Sequence, residues 1–324
     1  MKSSSSLSEF EVIQHFFSNI GSSAEIDLGV GDDCALLSIP NGQRLALSID
    51  SLLVGRHFPA DAAPFDIAQR ALAVSISDLA AMGARPLAFT LALSLPDVDQ
   101  NWLQSFSEGL RASAGHYQIP LIGGDTTKGP LSITIQVHGL LPGKAGLQRD
   151  GAQPGDRIFV SGCLGDAAAA LDVLQQKIIL DTNKKKYFYS RFYQPQARIT
   201  LGVALLNVAN AAIDISDGLL ADLTHIARAS SVAATVYSEK IPFSDVLVQS
   251  VNNDQALRYA LTGGDDYELC FTANARHRQQ LAKYADMFGV PITEIGEITS
   301  GEGVQCLDQQ GCALEFAVTG YQHF

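Results

Sequence analysis

Hydrophobic and polar positions alternate along three stretches in the first half of the chain. Leu45, Leu47 and Ile49 fall on one side of an extended segment, with Ala46, Ser48 and Asp50 on the other. Phe89, Leu91, Leu93 and Leu95 alternate with Thr90, Ala92 and Ser94, and Leu131, Ile133, Ile135 and Val137 with Ser132, Thr134, Gln136 and His138. A period of two over this length predicts half-buried strands, each with one less apolar face. Residues 65–81 and 102–114 instead carry apolar positions at helical spacing. Three alternating strands with helices between them predict a mixed or antiparallel sheet with helices on one face, an α+β arrangement rather than a doubly wound parallel one.

Glycine and proline gather between Gly143 and Gly155, which places a domain boundary there and divides the chain into residues 1–150 and 151–324. Beyond it the pattern predicts a strand at 157–161, an alanine-rich helix at 166–175, a helix at 196–210, a strand at 211–215 and a helix at 217–229. Strands near 267–272, 293–298 and 314–318 close the chain, so the second domain reads as α/β. The basic run Lys184-Lys185-Lys186 reads as a solvated loop.

Composition narrows the class of partner. A formal charge of −12 argues against a nucleic-acid backbone, which requires clustered Lys and Arg. The five cysteines are scattered with neither zinc spacing nor a disulfide framework. The Ser-rich first residues carry no signal-peptide pattern, and the apolar run 87–95 is too short to span a bilayer. The expectation is a cytoplasmic protein without a membrane or nucleic-acid partner.

The informative chemistry is the placement of aspartates beside glycine and at the ends of apolar elements. They occur in Gly31-Asp32-Asp33, Ser48-Ile49-Asp50, Ser77-Asp78, Gly123-Gly124-Asp125, Asp214-Ile215-Ser216-Asp217 and Gly263-Gly264-Asp265-Asp266. Each alone fits a turn or a helix cap. Asp78 is different, because it shares a helical stripe with Ile67, Ala71 and Val74 and has no Lys or Arg within a turn on that face. A carboxylate on such a stripe is costly unless it is paired, hydrogen-bonded or bound to a metal. Two carboxylates about 4 Å apart repel by roughly 4 kcal/mol at an effective dielectric near 20. Convergence of Asp50, Asp78, Asp125 and Asp214 therefore calls for hard cations, and all-oxygen ligation suits Mg²⁺. Two or more Mg²⁺ holding a nucleoside triphosphate is the reading. The P-loop, protein-kinase, GxSxG, GxGxxG and EF-hand patterns are all missing.

Five motifs then occur in one order: Gly29-Val30-Gly31-Asp32-Asp33-Cys34-Ala35, Ser77-Asp78-Leu79-Ala80-Ala81-Met82-Gly83-Ala84, Gly123-Gly124-Asp125-Thr126, Asp214-Ile215-Ser216-Asp217-Gly218-Leu219 and Gly263-Gly264-Asp265-Asp266-Tyr267-Glu268-Leu269. Together they resemble the thiamine-monophosphate kinase family of the AIR-synthetase-like ATP-binding superfamily. The resemblance implies an N-terminal sheet that closes into a barrel across a homodimer, and a C-terminal α/β sandwich. It implies transfer of the ATP γ-phosphoryl group to thiamine monophosphate, assisted by several Mg²⁺. By motif, Asp33, Ser48, Ile49, Asp50, Asp78, Asp125, Asp214 and Asp217 would hold magnesium, with Asp50, Asp78 and Asp125 central to the chemistry. Gly124, Asp125, Arg149 and Ser216 would contact ATP, and His57, Asp265 and Tyr321 would line the thiamine site. Two positions depart from the family pattern. Ile49 stands where a hydroxyl residue is common, leaving only its main-chain oxygen for a metal, and Asp265 stands where Glu is common.

Other readings stay open on the residues alone. One is an AIR-synthetase-type ATP-dependent ligase. Selenophosphate synthetases would need a reactive Cys or selenocysteine near a glycine-rich start, and hydrogenase-maturation relatives a C-terminal Cys. The first 30 residues here contain no Cys, and this sequence ends Tyr321-Gln322-His323-Phe324. Another is a nucleotide or Mg²⁺ sensor without turnover.

Overall fold

The computed structural model of the chain describes residues 7–316. The described chain divides into two compact units, one made of 7–79 and 84–144, the other of 80–83 and 145–316.

In the first unit, a short helix α1 (Glu9–Val12) is capped reciprocally by Ser8 and Glu11 and runs on into a π-helical stretch, Ile13–Phe17. Two short strands, β1 (Ile26–Leu28) and β2 (Leu36–Leu37), pair antiparallel. Then come β3 (Gln43–Leu53), α2 (Pro64–Met82), β4 (Arg85–Leu95), α3 (Gln100–Tyr117), β5 (Leu121–Lys128) and β6 (Ser132–Pro142). The four long strands form a sheet in the order β3-β6-β4-β5. Its first two pairings are antiparallel and β4 with β5 is parallel, so the sheet is mixed.

One face of this sheet follows the alternation. Phe89, Leu91 and Leu93 of β4 and Ile133, Ile135 and Val137 of β6 are buried. Leu79 of α2 packs on that side against Gly139, where any side chain would strike it. Strand β3 reverses the expectation: its apolar side is the open one, with Leu45 42%, Leu47 55% and Ile49 61% exposed. Cross-strand pairing explains the reversal. Ser48 is opposite Val137 and Asp50 opposite Ile135, so the polar side of β3 shares the buried face. Asp50 does not end its strand, which runs on to Leu53, and Asp125 lies inside β5 rather than at a turn.

The second unit holds β7 (Arg157–Ser161), α4 (Asp166–Leu174), α5 (Thr182–Tyr193), α6 (Ile199–Leu205), β8 (Ala209–Asp214), α7 (Leu219–Ser230), β9 (Ala233–Tyr237), α8 (Asp245–Val248) and α9 (Asn253–Thr262). It continues through β10 (Leu269–Ala273), α10 (Arg278–Phe288), β11 (Ile292–Thr299), β12 (Gly303–Leu307) and β13 (Ala313–Leu314). Seven strands form one sheet in the order β13-β12-β9-β11-β7-β10-β8, antiparallel except for β9 with β12. Successive residues on its strands enter opposite cores. Ile158, Val160, Ala211, Ile213 and Cys270 pack with Leu220, Leu223 and Ile226 of α7. Phe159, Ala212, Leu269 and Phe271 pack with Leu201 and Leu205 of α6 and Leu281 of α10. The result is a sheet covered on both faces.

Three local expectations are corrected. The helix expected at 196–210 spans only Ile199–Leu205, because Ala209 is already paired with Ala273 in the sheet. The lysine run is helical: Asp181 caps α5 by accepting the N–H groups of Asn183 and Lys184. Of the strand expected at 314–318, only Ala313–Leu314 forms within the described residues. Among those residues no helix is long and apolar enough to cross a membrane.

Candidate active site

The buried face of the first sheet brings two of the expected carboxylates together. The stripe Ile67, Ala71 and Val74 buries α2 and carries Asp78 to the polar side of β3, where the Ser48 hydroxyl donates to Asp78 Oδ2. Asp50, two residues along the same side of β3, is pushed up to about 6 by burial and then by the Asp78 charge, with Ser75 countering. Asp50 therefore titrates against another acid in a half-buried setting. This is the arrangement that a hard divalent cation relieves.

The wider convergence of carboxylates does not occur inside the first unit. Asp125 shares its cross-strand row with Ala92 and Thr134, whereas Asp50 shares the adjacent row with Ile135 and Leu91. Adjacent rows point to opposite faces, so Asp50 and Asp125 are sent apart by the pleat. Among the described residues no group of three or more His, Cys, Asp and Glu side chains could hold a metal ion. Mg²⁺ commonly takes one or two carboxylates and completes its shell with water and substrate phosphates. The residues present fit such an ion only on those terms.

Asp33, Gly124 and Asp125 instead line one cleft of about 500 Å³, walled by Phe10, Ile13 and Phe17. Gly124 is obligatory here: at φ +155, a Cβ would sit 1.9 Å from the Leu91 carbonyl oxygen. The sequence reads Gly123-Gly124 as a turn, but glycine serves a close strand approach. His57 is half-buried, with Nδ1 accepting the Leu53 N–H at 2.9 Å and its carbonyl accepting from Arg70 Nε. Ile49 is exposed on the opposite side of β3 from Ser48 and Asp50.

In the second unit, Asp214 ends β8 and Ser216-Asp217 form the turn into α7. This turn lies against the Gly263–Glu268 loop: Asp265 and Tyr267 donate their N–H groups to the Ser216 and Ile215 carbonyls, and Ile215 donates to Glu268. A Cβ on Gly264 would meet the Ser216 oxygen at 2.3 Å. Asp265 adopts φ 72, a left-handed conformation that Asp tolerates better than most residues. Arg149 is exposed, and its carbonyl accepts from Ser230. Tyr321 lies outside the described residues.

Sequence reasoning missed two groups of residues around these loops. Asp222, 2% exposed, accepts the N–H groups of Ser216, Asp217 and Gly218 on one oxygen. Burial pushes it up to about 7, against the Asp217 N–H and with the Asp214 and Asp217 charges. Its only sequence signal is an acid in the first turn of a helix. Behind the second loop, Glu268 takes a two-point contact from Arg198 and a hydroxyl from Ser161, while Arg191 reaches both Glu268 and Asp166. Tyr187 and Ser244 donate to Asp166, and the Gly165 and Ala167 N–H groups to Asp266. Nothing in local spacing announces contacts more than 60 residues apart in the chain, such as Ser161 to Glu268 and Arg198 to Glu268.

Residues 31–141 match the model of the AIR synthase related protein N-terminal domain, and residues 153–308 match that of the C-terminal domain. These matches set the class, a two-domain AIR synthase related protein. The thiamine-monophosphate kinase of Escherichia coli (strain K12) is 48% identical over 318 residues, covering 98% of each chain. The crystal structure of thiamine-monophosphate kinase from Stenotrophomonas maltophilia K279a aligns with TM-score 0.85 and 46% identity, covering 90% of this chain and 93% of that one. AaThiL complexed with AMPPCP and TMP aligns with TM-score 0.79 and 32% identity, covering 88% and 89%. The chain belongs to the thiamine-monophosphate kinase family of enzymes.

Proposed function

We propose that the protein transfers the γ-phosphoryl group of ATP directly to the phosphate of thiamine monophosphate, giving thiamine diphosphate and ADP. The observation that carries the reading is the Asp50–Asp78 pair on the buried sheet face, in a chain 48% identical to a thiamine-monophosphate kinase over nearly its full length. A relative at 32% identity has been solved with AMPPCP, an unreactive ATP analogue, and TMP.

Asp33, Ser48, Asp50, Asp78 and Asp125 of the first unit and Asp214 and Asp217 of the second are the proposed magnesium ligands, with Ile49 contributing only its carbonyl. Bound magnesium would neutralise phosphate charge as the phosphoryl group moves. The chain's own groups do the rest. Ser48 orients the Asp78 carboxylate through its hydroxyl. Gly124, Asp125, Arg149 and Ser216 contact ATP, and His57, Asp265 and Tyr321 contact the thiamine end of the acceptor. No general base is required, since the acceptor oxygen is already ionised near neutral pH. No phosphoenzyme forms.

The enzyme acts as a homodimer joined through the open apolar side of β3, where Leu45, Leu47, Ile49 and Leu53 are exposed on a sheet edge. Residues 1–150 and 151–324 act as its two domains. The five unpaired cysteines suit the reducing cytoplasm.

Purified protein given ATP, Mg²⁺ and a panel of phosphorylated vitamins and purine intermediates tests the activity. ADP release that depends on thiamine monophosphate is expected. Release driven by a purine intermediate would favour the ligase reading, and nucleotide binding without any turnover would favour the sensor.

A further inference from the structure

We propose that Asp222 is a positioning residue for magnesium–nucleotide binding, an inference that rests on the ATP reading above. The argument starts from an asymmetry. A turn that leads into a helix leaves its first N–H groups without intrahelical partners, and a side chain at the start of the turn usually caps them. Here the residue preceding the helix is Gly218, which has no side chain to offer. What is held from inside the helix is the turn before it, not the amides of Leu219 to Ala221. Asp222 lies in the first turn of α7 and reaches back, so that one carboxylate oxygen accepts Ser216, Asp217 and Gly218 N–H groups at 3.0, 3.0 and 3.1 Å.

Three consecutive amides on one oxygen curl the backbone around it and leave it little freedom. The same segment carries Ser216 and Asp217 and follows Asp214, all of them assigned above to nucleotide or metal. Its outward carbonyls are also held, because Ser216 and Ile215 accept the Asp265 and Tyr267 N–H groups. Asp222 is 2% exposed, so it serves the turn from within rather than touching a ligand. The segment is thus gripped from below by a buried carboxyl oxygen and from the side by the neighbouring loop. Removing that oxygen releases one grip and leaves the other.

Calorimetric titration of Mg²⁺ with AMPPCP into wild type, Asp222→Asn and Asp222→Ala tests the assignment, alongside amide hydrogen exchange at residues 216–218. The Ala variant is expected to bind magnesium–AMPPCP about ten-fold or more weakly and to exchange those three amides faster. The Asn variant keeps a neutral acceptor of the same shape, so its loss is smaller, about three-fold. A merely structural Asp222 would lower the melting temperature but leave affinity and local exchange of the folded protein at wild-type values. That result overturns the proposal. If the Ala variant does not fold, the Asn variant decides, and wild-type affinity in it is likewise fatal. Turnover of thiamine monophosphate by the wild type is a separate measurement, so failure of the activity reading and failure of this one are told apart.

Discussion

Each unit gathers acidic side chains, but the two sets are balanced in different ways. In the second unit, Asp166 and Glu268 are almost fully buried, with Arg191 within salt-bridge reach of both and Arg198 of Glu268. In the first unit, Asp50 meets Asp78, and the groups that set its titration are burial, that like charge and a serine. The contrast teaches that a buried carboxylate is not by itself a sign of chemistry. Where guanidinium groups are built into the cluster, the charge is part of the scaffold. Where acid faces acid, burial and like charge raise the acid together, and a divalent cation is the counterweight proposed above.

The largest expected effect tests the first side of that contrast. Asp50→Asn and Asp78→Asn should each lower thiamine-monophosphate-dependent ADP release by roughly 10³-fold, with the melting temperature held or raised because like-charge repulsion is gone. Near-normal turnover in both would end the metal assignment. Arg198→Ala tests the other side. It removes the two-point partner of Glu268 while Arg191 and Ser161 remain, and should cost about 1–3 kcal/mol of folding stability by urea titration. A loss confined to activity would move this network into the site.

Ile49→Asp comes next, placing a charge on the open side of β3. It should weaken self-association by roughly 1.5–3 kcal/mol or more per protomer in sedimentation, and unchanged association would remove the proposed interface. The last test is of pH dependence. Burial pushes Asp266 up to about 8, against the Gly165 N–H and Arg191. From about pH 4 to pH 8 the unfolded chain carries this group ionised while the folded chain keeps its proton, so stability falls as pH rises through that window. Asp266→Asn should flatten the decline in the urea midpoint. A slope equal to wild type would assign the pH dependence elsewhere.

Much of the architecture was legible in local pattern. The strands around Leu91 and Ile135 and the helix carrying Asp78 follow directly from periods of two and of helical spacing, as does the switch to an α/β pattern after Gly155. What local pattern cannot give is which side of a strand finds a partner. For β3 the more apolar side is the open one, because register against Val137 and Ile135 is fixed by the whole sheet. The helix expected at 196–210 fails for the same reason, since pairing of Ala209 with Ala273 overrides helix propensity. At the candidate site, the inward position of Asp78 was legible from its stripe, and the motifs named Asp50, which the structure places beside it. The pleat that separates Asp50 from Asp125 was not, nor was Asp222, whose partners are amides rather than recognisable side chains.

The hydrogen bonds joining the Ile215–Ser216 segment to Asp265 and Tyr267 have a thermodynamic consequence. Segments joined by three backbone hydrogen bonds do not shift independently. Under the assignments proposed above, nucleotide at Ser216 and acceptor at Asp265, a nucleotide that settles one would therefore restrict the other. Reciprocity then requires the acceptor to raise nucleotide affinity by the same factor that the nucleotide raises acceptor affinity. Cooperativity of this kind needs no moving lid, only a shared backbone ladder between neighbouring turns.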